Sequence, residues 1–186
     1  MAHLEQFQFI EMIRFSFPSF FDSKIVLEVG SLNINGSVRE FFKDCNYTGI
    51  DVGPGPGVDI VCHGETYNAP AKIFDTVISC ECFEHNPFWV ETFKNMIRMC
   101  KSGGLIIMTC AGEGREEHGT ARTQPHNSPL TVQIGWQDYY KNLTEQDFRN
   151  NISIDEFFSV YQFSEQIHSG ESNPFAKDLN FWGIKK

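Results

Sequence analysis

The stretch KIVLEVG at residues 24–30 decides the fold, because it is a short apolar run that stops at a glycine. Two further runs of the same kind follow, FDTVIS at residues 74–79 and LIIMTC at residues 105–110. Strands that are apolar along their whole length are typical of a parallel sheet with both faces covered. The segments between these runs have helical patterns, so the sequence predicts an α/β protein.

The remaining segments complete a doubly wound, mostly parallel sheet of seven strands, five of them parallel and two in a C-terminal antiparallel hairpin. The other four strands are predicted at residues 47–52, 58–63, 157–167 and 178–185. A first helix is predicted within residues 1–21, where Leu4, Phe7, Ile10 and Ile13 form an apolar stripe, and a second at Ser37–Cys45. A third helix is predicted from the capping pair Asn86-Pro87 to about Cys100, with Gly103-Gly104 ending it. A fourth is predicted after a capping box at Thr144 and Asp147.

Composition indicates one globular domain spanning residues 1–186, with 41% hydrophobic and 21% charged residues. The 15 Lys and Arg residues against 24 Asp and Glu residues give a net charge of −9, which disfavours nucleic acid and anionic membrane surfaces as partners. No apolar run reaches the length of about 18 residues that a membrane span needs, and the N-terminus does not resemble a secretory leader. Six cysteines without a CxxC motif are expected to be reduced thiols in a cytoplasmic protein with no metal site.

Polar residues and glycines follow the predicted strands at the edge of the sheet where open α/β folds bind ligands. Gly30 permits a sharp turn after the first strand, and Asn35-Gly36 leads to a helix start whose free N–H groups can meet an anion. Asp51 follows the second strand, where a carboxylate is placed to accept hydrogen bonds from both hydroxyls of a ribose. The fourth strand is followed by SCECFEH at residues 79–85.

Together these segments resemble the class I S-adenosylmethionine (SAM)-dependent methyltransferases, particularly their small-molecule branch. The resemblance extends over about residues 24–112 and is carried by VLEVGS, YTGID, FDTVISCECFEH and MCKSGGLIIMT. It implies a Rossmann-like fold, SAM as the cofactor and S-adenosylhomocysteine (SAH) as the product. The sequence departs from the usual glycine pattern of the first motif, because Leu32 stands at the second glycine.

By position, the resemblance implies a set of cofactor contacts that follows the strand ends. Glu28, Gly30, Ser31, Asn35 and Gly36 would line the methionine end of SAM and Asp51 would hold the ribose, while His63, Gly64 and Glu65 would lie near adenine and Ser79 near the sulfonium.

Two other cofactor or substrate classes fit the sequence less well. NAD binding needs a G-x-G-x-x-G approach to the pyrophosphate, which Leu32 obstructs. The tetrapeptide NPFW at residues 86–89 is similar to the motif of DNA amino-methyltransferases, but it lies beyond the position directly after the fourth strand. An Asn-Pro pair at a helix start is the simpler interpretation of NPFW.

The function expected from the resemblance is methyl transfer from SAM to a small-molecule or sugar-like acceptor. The alternative is a SAM-binding module or pseudo-enzyme subunit that does not catalyse. His85, His118 and His126 are candidate general bases for an oxygen nucleophile. Residues 113–135 are predicted to be a substrate-side loop, of which 113–129 would form a lid over the acceptor that hardly touches the cofactor.

Overall fold

Seven strands form one sheet in a computed structural model that describes residues 3–186, so the first two residues of the predicted N-terminal segment lie outside the described part. The strands are β1 Ile25–Val29, β2 Asn46–Asp51, β3 Ile60–Val61, β4 Phe74–Cys80, β5 Cys100–Ala111, β6 Phe158–Ile167 and β7 Lys177–Lys185. The α-helices are α1 Leu4–Ser16, α2 Trp89–Met99, α3 Pro129–Gln133, α4 Glu145–Asn151 and α5 Ile154–Phe157.

The order of the strands across the sheet is β3-β2-β1-β4-β5-β7-β6. Strands β1 to β5 pair in parallel, and β7 is antiparallel to both of its neighbours. The predicted fold class and C-terminal hairpin are therefore confirmed. The Thr144–Asp147 capping box is also present, since each residue's side chain bonds the other's backbone at the start of α4. None of the helices in the described part has the length and apolar character needed to cross a membrane.

Both faces of the sheet are covered by apolar side chains, which explains the uninterrupted apolar strands. Val26, Ile78 and Ile107 pack on one face with α1 and the aromatic residues after it. The opposite face carries Leu27 and its neighbours, packed against α2, α4 and the phenylalanines of the C-terminal hairpin. This second core contains a cluster of aromatic rings in edge and tilted contacts: Phe93, Phe148, Phe158, Phe163 and Phe181.

The helix predicted at Ser37–Cys45 is wrong, because the chain forms only a 3-10 turn at Val38–Phe41. Beyond the turn the backbone extends and bonds to the segment before β1: Lys43 N–H donates to Phe21 O, and Ser23 N–H donates to Lys43 O. The Phe42 ring stacks on Phe21 with centroids 4.6 Å apart. Tertiary pairing and aromatic packing therefore override the local helical pattern.

Other predicted limits of helices and strands also differ from the structure because of contacts between elements. The buried face of α1 includes Phe9, Ile10 and Ile13, whereas Leu4 of the predicted stripe is 64% exposed. The predicted strand 58–63 shortens to two residues because it lies at the edge of the sheet, paired only with β2. Strand β5 begins at Cys100 rather than Leu105, since Cys100 pairs with Phe74 across an irregularity in the ladder.

The aromatic core provides a direct test of this packing. Phe93→Ala removes a fully buried ring and should lower the free energy of unfolding by about 3–5 kcal/mol. Phe15, which is 88% exposed, is the matched control, and Phe15→Ala should change stability by less than about 0.5 kcal/mol. Urea unfolding measures both values, and similar losses in the two variants would contradict the assigned core.

Candidate functional site

A cleft opens at the carboxyl edge of the sheet, where β1 lies beside both β2 and β4. The chain leaves β1 towards one side of the sheet and returns as β4 on the other side, which is the switch point where open α/β sheets bind ligands. This main cleft has a volume of about 680 Å³, including the space that opens to solvent. It is lined by residues that follow β1, β2 and β4, together with Asn127–Thr131 from the long loop.

Gly30 forms the floor of the main cleft and is required there for two reasons. Its φ of +81° lies in the left-handed region, which other residues rarely adopt. A Cβ at this position would also stand 2.6 Å from the Cβ of Cys82, which follows β4. The glycine therefore lets the turn after β1 approach the chain that follows β4.

Asp51 joins the end of β2 to the turn after β1. Its Oδ2 accepts a hydrogen bond from Leu32 N–H at 2.9 Å, and its Oδ1 accepts one from Val52 N–H at 2.7 Å. Burial raises the pKa of this carboxyl even though both hydrogen bonds lower it. Each oxygen retains a further lone pair, so the carboxylate is fixed in place and can still accept hydrogen bonds from a ligand in the cleft.

Glu28, the fourth residue of β1, also lines the main cleft and is only 5% exposed. Its Oε2 accepts a hydrogen bond from the Tyr47 hydroxyl at 2.9 Å. Burial raises the pKa of Glu28 to about 7, against this hydrogen bond and the charge of Arg39, which lower it. The side chain is thus poised between its neutral and charged forms near neutral pH.

Glu81 follows β4 with a φ of +51°, an unusual conformation for a residue with a side chain. Thr109 donates a hydrogen bond to its Oε1 at 3.0 Å, and His3 Nε2 lies 3.3 Å from its Oε2. Although burial opposes ionisation, the contact with His3 holds the pKa of Glu81 below its usual range. A buried carboxylate therefore stands at the end of β4, and strain of this kind is often found at functional sites.

The other residues predicted to bind the cofactor fall into two groups. Ser31, Asn35 and Gly36 line the main cleft, and Gly64 lines a side cleft that shares Gly30 and Asp51 with it. Three others do not line either cleft. His63 and Glu65 face each other, with Nδ1 and Oε1 3.2 Å apart, and Ser79 is fully buried where its hydroxyl donates to Val29 O.

The three histidines proposed as bases do not come together as one group. His85 is buried and lines both clefts. His118 is buried beside it, with ring centroids 5.1 Å apart, and burial lowers the pKa of both side chains. His126 is exposed and lines neither cleft.

The segment 113–135 contains more structure than the predicted loop, including a 3-10 turn at Pro125–Asn127 and helix α3. Arg115 anchors its start through ion pairs with Glu171 and Asp178. Its second half enters the lining of the main cleft, and the Leu130 side chain packs on Gly53 just beyond Asp51. The segment therefore approaches both sides of the site instead of the acceptor side alone.

Several cleft residues were missed by reasoning from the sequence. Glu81 and Cys82 line the main cleft and lie within SCECFEH, the segment at the end of the fourth strand. Ligands are expected to bind at such a strand end, but among the residues directly after the strand the sequence predicts only Ser79 as a cofactor contact. Tyr140, half-buried against His85 outside both clefts, is not predicted from the sequence, because only tertiary structure brings the two residues together.

Asn86 has a structural role that accounts for the NPFW segment. Its Oδ1 accepts the N–H of Phe88, which is the N-cap of α2, and its Nδ2 donates to Thr92 Oγ1 at 2.8 Å. The predicted helix start is therefore displaced by two residues. With both side-chain groups engaged, Asn86 is not placed to act on a nucleobase amine.

Comparison with known proteins finds a family similar to the central part of the chain. Residues 27–108 match the family described as the methyltransferase domain. No protein of curated function matches the chain in sequence.

Three solved structures share the fold of the whole chain. Phosphoethanolamine N-methyltransferase 2 of Haemonchus contortus in complex with SAM is 14% identical, with a TM-score of 0.64 over 96% of this chain and 52% of its own. The 1,6-didemethyltoxoflavin-N1-methyltransferase of Burkholderia thailandensis is 12% identical, with a TM-score of 0.60 over 100% and 92%. The N-methyltransferase NodS of Bradyrhizobium japonicum is 14% identical, with a TM-score of 0.59 over 98% and 97%.

At these identities the structural likenesses establish the fold, and the chain spans about half the length of the Haemonchus enzyme. The strand order, the cleft at the β1/β4 switch point and the match over residues 27–108 agree with one another. Residues 27–108 therefore resemble the methyltransferase domain family, and the chain as a whole has the fold of the three methyltransferases named above.

Proposed function

We propose that the main cleft binds SAM and that the protein transfers its methyl group to a small-molecule or sugar-like acceptor. The observation that carries the proposal is the charge of the lining. Glu28, Asp51 and Glu81 supply carboxyl groups from three strand ends, and no Lys or Arg is found among the described residues that line the main cleft or the side cleft.

This charge distribution distinguishes between the candidate cofactors. SAM carries a sulfonium and an ammonium group, and an acidic cleft attracts such a cation. NAD carries a pyrophosphate, which the same carboxylates repel. The three structures compared above are of methyltransferases, and the Haemonchus enzyme is described with SAM bound, which supports the same choice.

Within the cleft, each residue has a role that its position supports. Asp51 accepts hydrogen bonds from the ribose hydroxyls, and the tight turn at Gly30 lets the cofactor lie close to the backbone. Glu28 and Glu81 face the positively charged methionine end. Methyl transfer is a displacement at the sulfonium carbon, so most of the acceleration comes from holding the acceptor in line with the methyl group.

The acceptor is proposed to lie beside His85, which lines both clefts. The rings of His118 and Tyr140 next to His85 suit a small organic acceptor, and the net charge of −9 disfavours nucleic acid. A screen of small hydroxyl and amine compounds with methyl-labelled SAM tests the activity, with labelled product and equimolar SAH expected. SAM binding without transfer to any acceptor would instead favour a non-catalytic SAM-binding module.

Asp51 provides the first test of the cofactor site. Asp51→Asn should weaken SAH binding at least about 30-fold, or ~2 kcal/mol, because hydrogen bonds to a charged acceptor contribute about 1.5–3 kcal/mol each. Asp59 is the matched control, since its carboxylate accepts Gly49 N–H and pairs with Arg39 outside the main cleft. Calorimetric titration of both folded variants measures the effect, and equal losses would show that Asp51 does not hold the ribose.

Glu28 provides a test by pH. Its pKa is raised from 4.5 in the unfolded chain to about 7 in the folded protein, so the folded state holds its proton more tightly. Stability is therefore lost as the pH rises through this window, by about 2.5 kcal/mol between pH 5 and pH 8. Glu28→Gln should remove that part of the pH dependence in urea unfolding, while the exposed control Glu40→Gln should keep it. Parallel curves for wild type and Glu28→Gln would contradict the assigned pKa.

Leu130 tests whether segment 113–135 contacts the cofactor as well as the acceptor. Its buried side chain lines the main cleft, so Leu130→Ala should weaken SAH binding about 10-fold, or ~1.4 kcal/mol, through lost apolar contact. Gln133→Ala, on the exposed side of the same helix, should leave the affinity unchanged. If Leu130→Ala stays within threefold of the wild type, the segment serves the acceptor alone, as the sequence predicted.

A further inference from the structure

Three side chains beside the main cleft carry buried polar atoms that lack hydrogen-bond partners. They are both carboxylate oxygens of Glu84, both ring nitrogens of His85 and the hydroxyl of Tyr140. Glu84 is fully buried and His85 is 3% exposed. An unpartnered buried polar group costs free energy and is rare in folded proteins, so several in one place indicate a missing ligand.

Glu84, His85 and His118 form a cluster of potential metal ligands, called here the Glu84 cluster. One oxygen or nitrogen from each side chain lies within 4.8 Å of the others, and Glu84 Oε1 is 3.9 Å from His85 Nε2. These separations are too long for hydrogen bonds. They exceed by about 0.6 Å to at most about 1.5 Å the ~3.3 Å between neighbouring ligands on an ion with bonds of ~2.1 Å.

His118 is held in the form that binds metals. Its Nδ1 lies 3.0 Å from the backbone oxygen of Glu116, and a carbonyl there can only accept a hydrogen bond. The Nδ1 atom therefore carries the proton, and Nε2 keeps its lone pair. This backbone contact to the second ring nitrogen is the usual support of a metal-binding histidine.

Gly119 allows the loop that carries His118 to reach His85. Its φ is +66°, and a Cβ at this position would stand 2.6 Å from Cε1 of His85. A side chain here would push the two imidazoles apart.

The charges around the cluster also favour a cation. The positive charge of Arg115 is already balanced by Asp178 and Glu171. A divalent ion would offset the buried carboxylates and remove the cost of their desolvation.

We propose that Glu84, His85 and His118 bind one divalent transition-metal ion, with zinc the ion that best matches two imidazoles and one carboxylate. Magnesium and calcium prefer ligand sets made of oxygen. His85 lines both clefts, so an ion bound by this cluster would lie beside them. The site goes beyond the proposed methyl transfer, does not depend on it, and departs from the absence of a metal site expected from the sequence.

Two other groups with metal-binding residue types serve as internal controls. Both contain His3, combined either with Glu5 and His168 or with Glu81 and Asp178. Each of their carboxylates accepts at least one hydrogen bond, because Glu5 accepts from Ser169, Glu81 Oε1 from Thr109, and Asp178 from Arg115. Among these residues only His3 Nε2 and Glu81 Oε2 lack a hydrogen-bond partner, whereas both oxygens of Glu84 and both ring nitrogens of His85 lack one.

Zinc binding to the full chain tests the proposal directly. After treatment with a chelator, the wild type should bind one Zn²⁺ per chain with micromolar or tighter affinity, as measured by titration against a competing indicator and by metal analysis after dialysis. Glu84→Gln and His118→Gln should each weaken binding at least about 100-fold, since even supporting residues contribute 10- to 100-fold. His168→Gln and His126→Gln should retain the wild-type affinity. Thermal unfolding in chelator shows that each variant is folded.

Cobalt as a probe separates this site from binding to the free cysteines. Co²⁺ held by nitrogen and oxygen should give visible d–d absorption without thiolate charge-transfer bands in the near ultraviolet. Absence of stoichiometric zinc binding, thiolate bands, or equal affinity in Glu84→Gln and wild type would each overturn the proposal. None of these readings uses methyl transfer, so a failure of the metal site and a failure of the proposed activity are distinguishable.

Discussion

The carboxylate of Asp51 is the contact on which the site depends, because it fixes the turn after β1 to the end of β2. It accepts the N–H of Leu32 from one segment and of Val52 from the other. Gly30 brings that same turn against Cys82, so three strand ends meet without intervening side chains. These few contacts shape the base of the cleft at the switch point, and residues Asn127–Thr131 of the long loop complete its lining.

The acidic lining gives this cleft its chemical character. Carboxyl groups buried at the ends of β1, β2 and β4 repel one another, and each is held by a different device: the Tyr47 hydroxyl for Glu28, backbone N–H groups for Asp51, and His3 and Thr109 for Glu81. Such an arrangement costs stability in the absence of a ligand and favours a bound cation. The fold places a ligand cleft at the carboxyl edge of the sheet, and the acidic side chains that line the cleft determine which ligands bind there.

The sequence predicted the sheet well because its strands are buried on both faces, so each appears as an uninterrupted apolar run. It predicted Gly30 and Asp51 for a related reason, since strand ends are easily located in such a pattern. The helix at Ser37–Cys45 was wrong because Phe42 and Lys43 find partners before β1 that no local pattern reveals. Glu84, His118 and Tyr140 lie far apart in the chain, and only tertiary structure brings them together.

The most direct measurement is a crystal structure of the protein with SAH. We expect the nucleoside in the main cleft, with both ribose hydroxyls within hydrogen-bond distance of the Asp51 carboxylate and the amino-acid end towards Glu28 and Glu81. An SAH molecule bound elsewhere, or one whose ribose has no contact with Asp51 while the fold is intact, would contradict it.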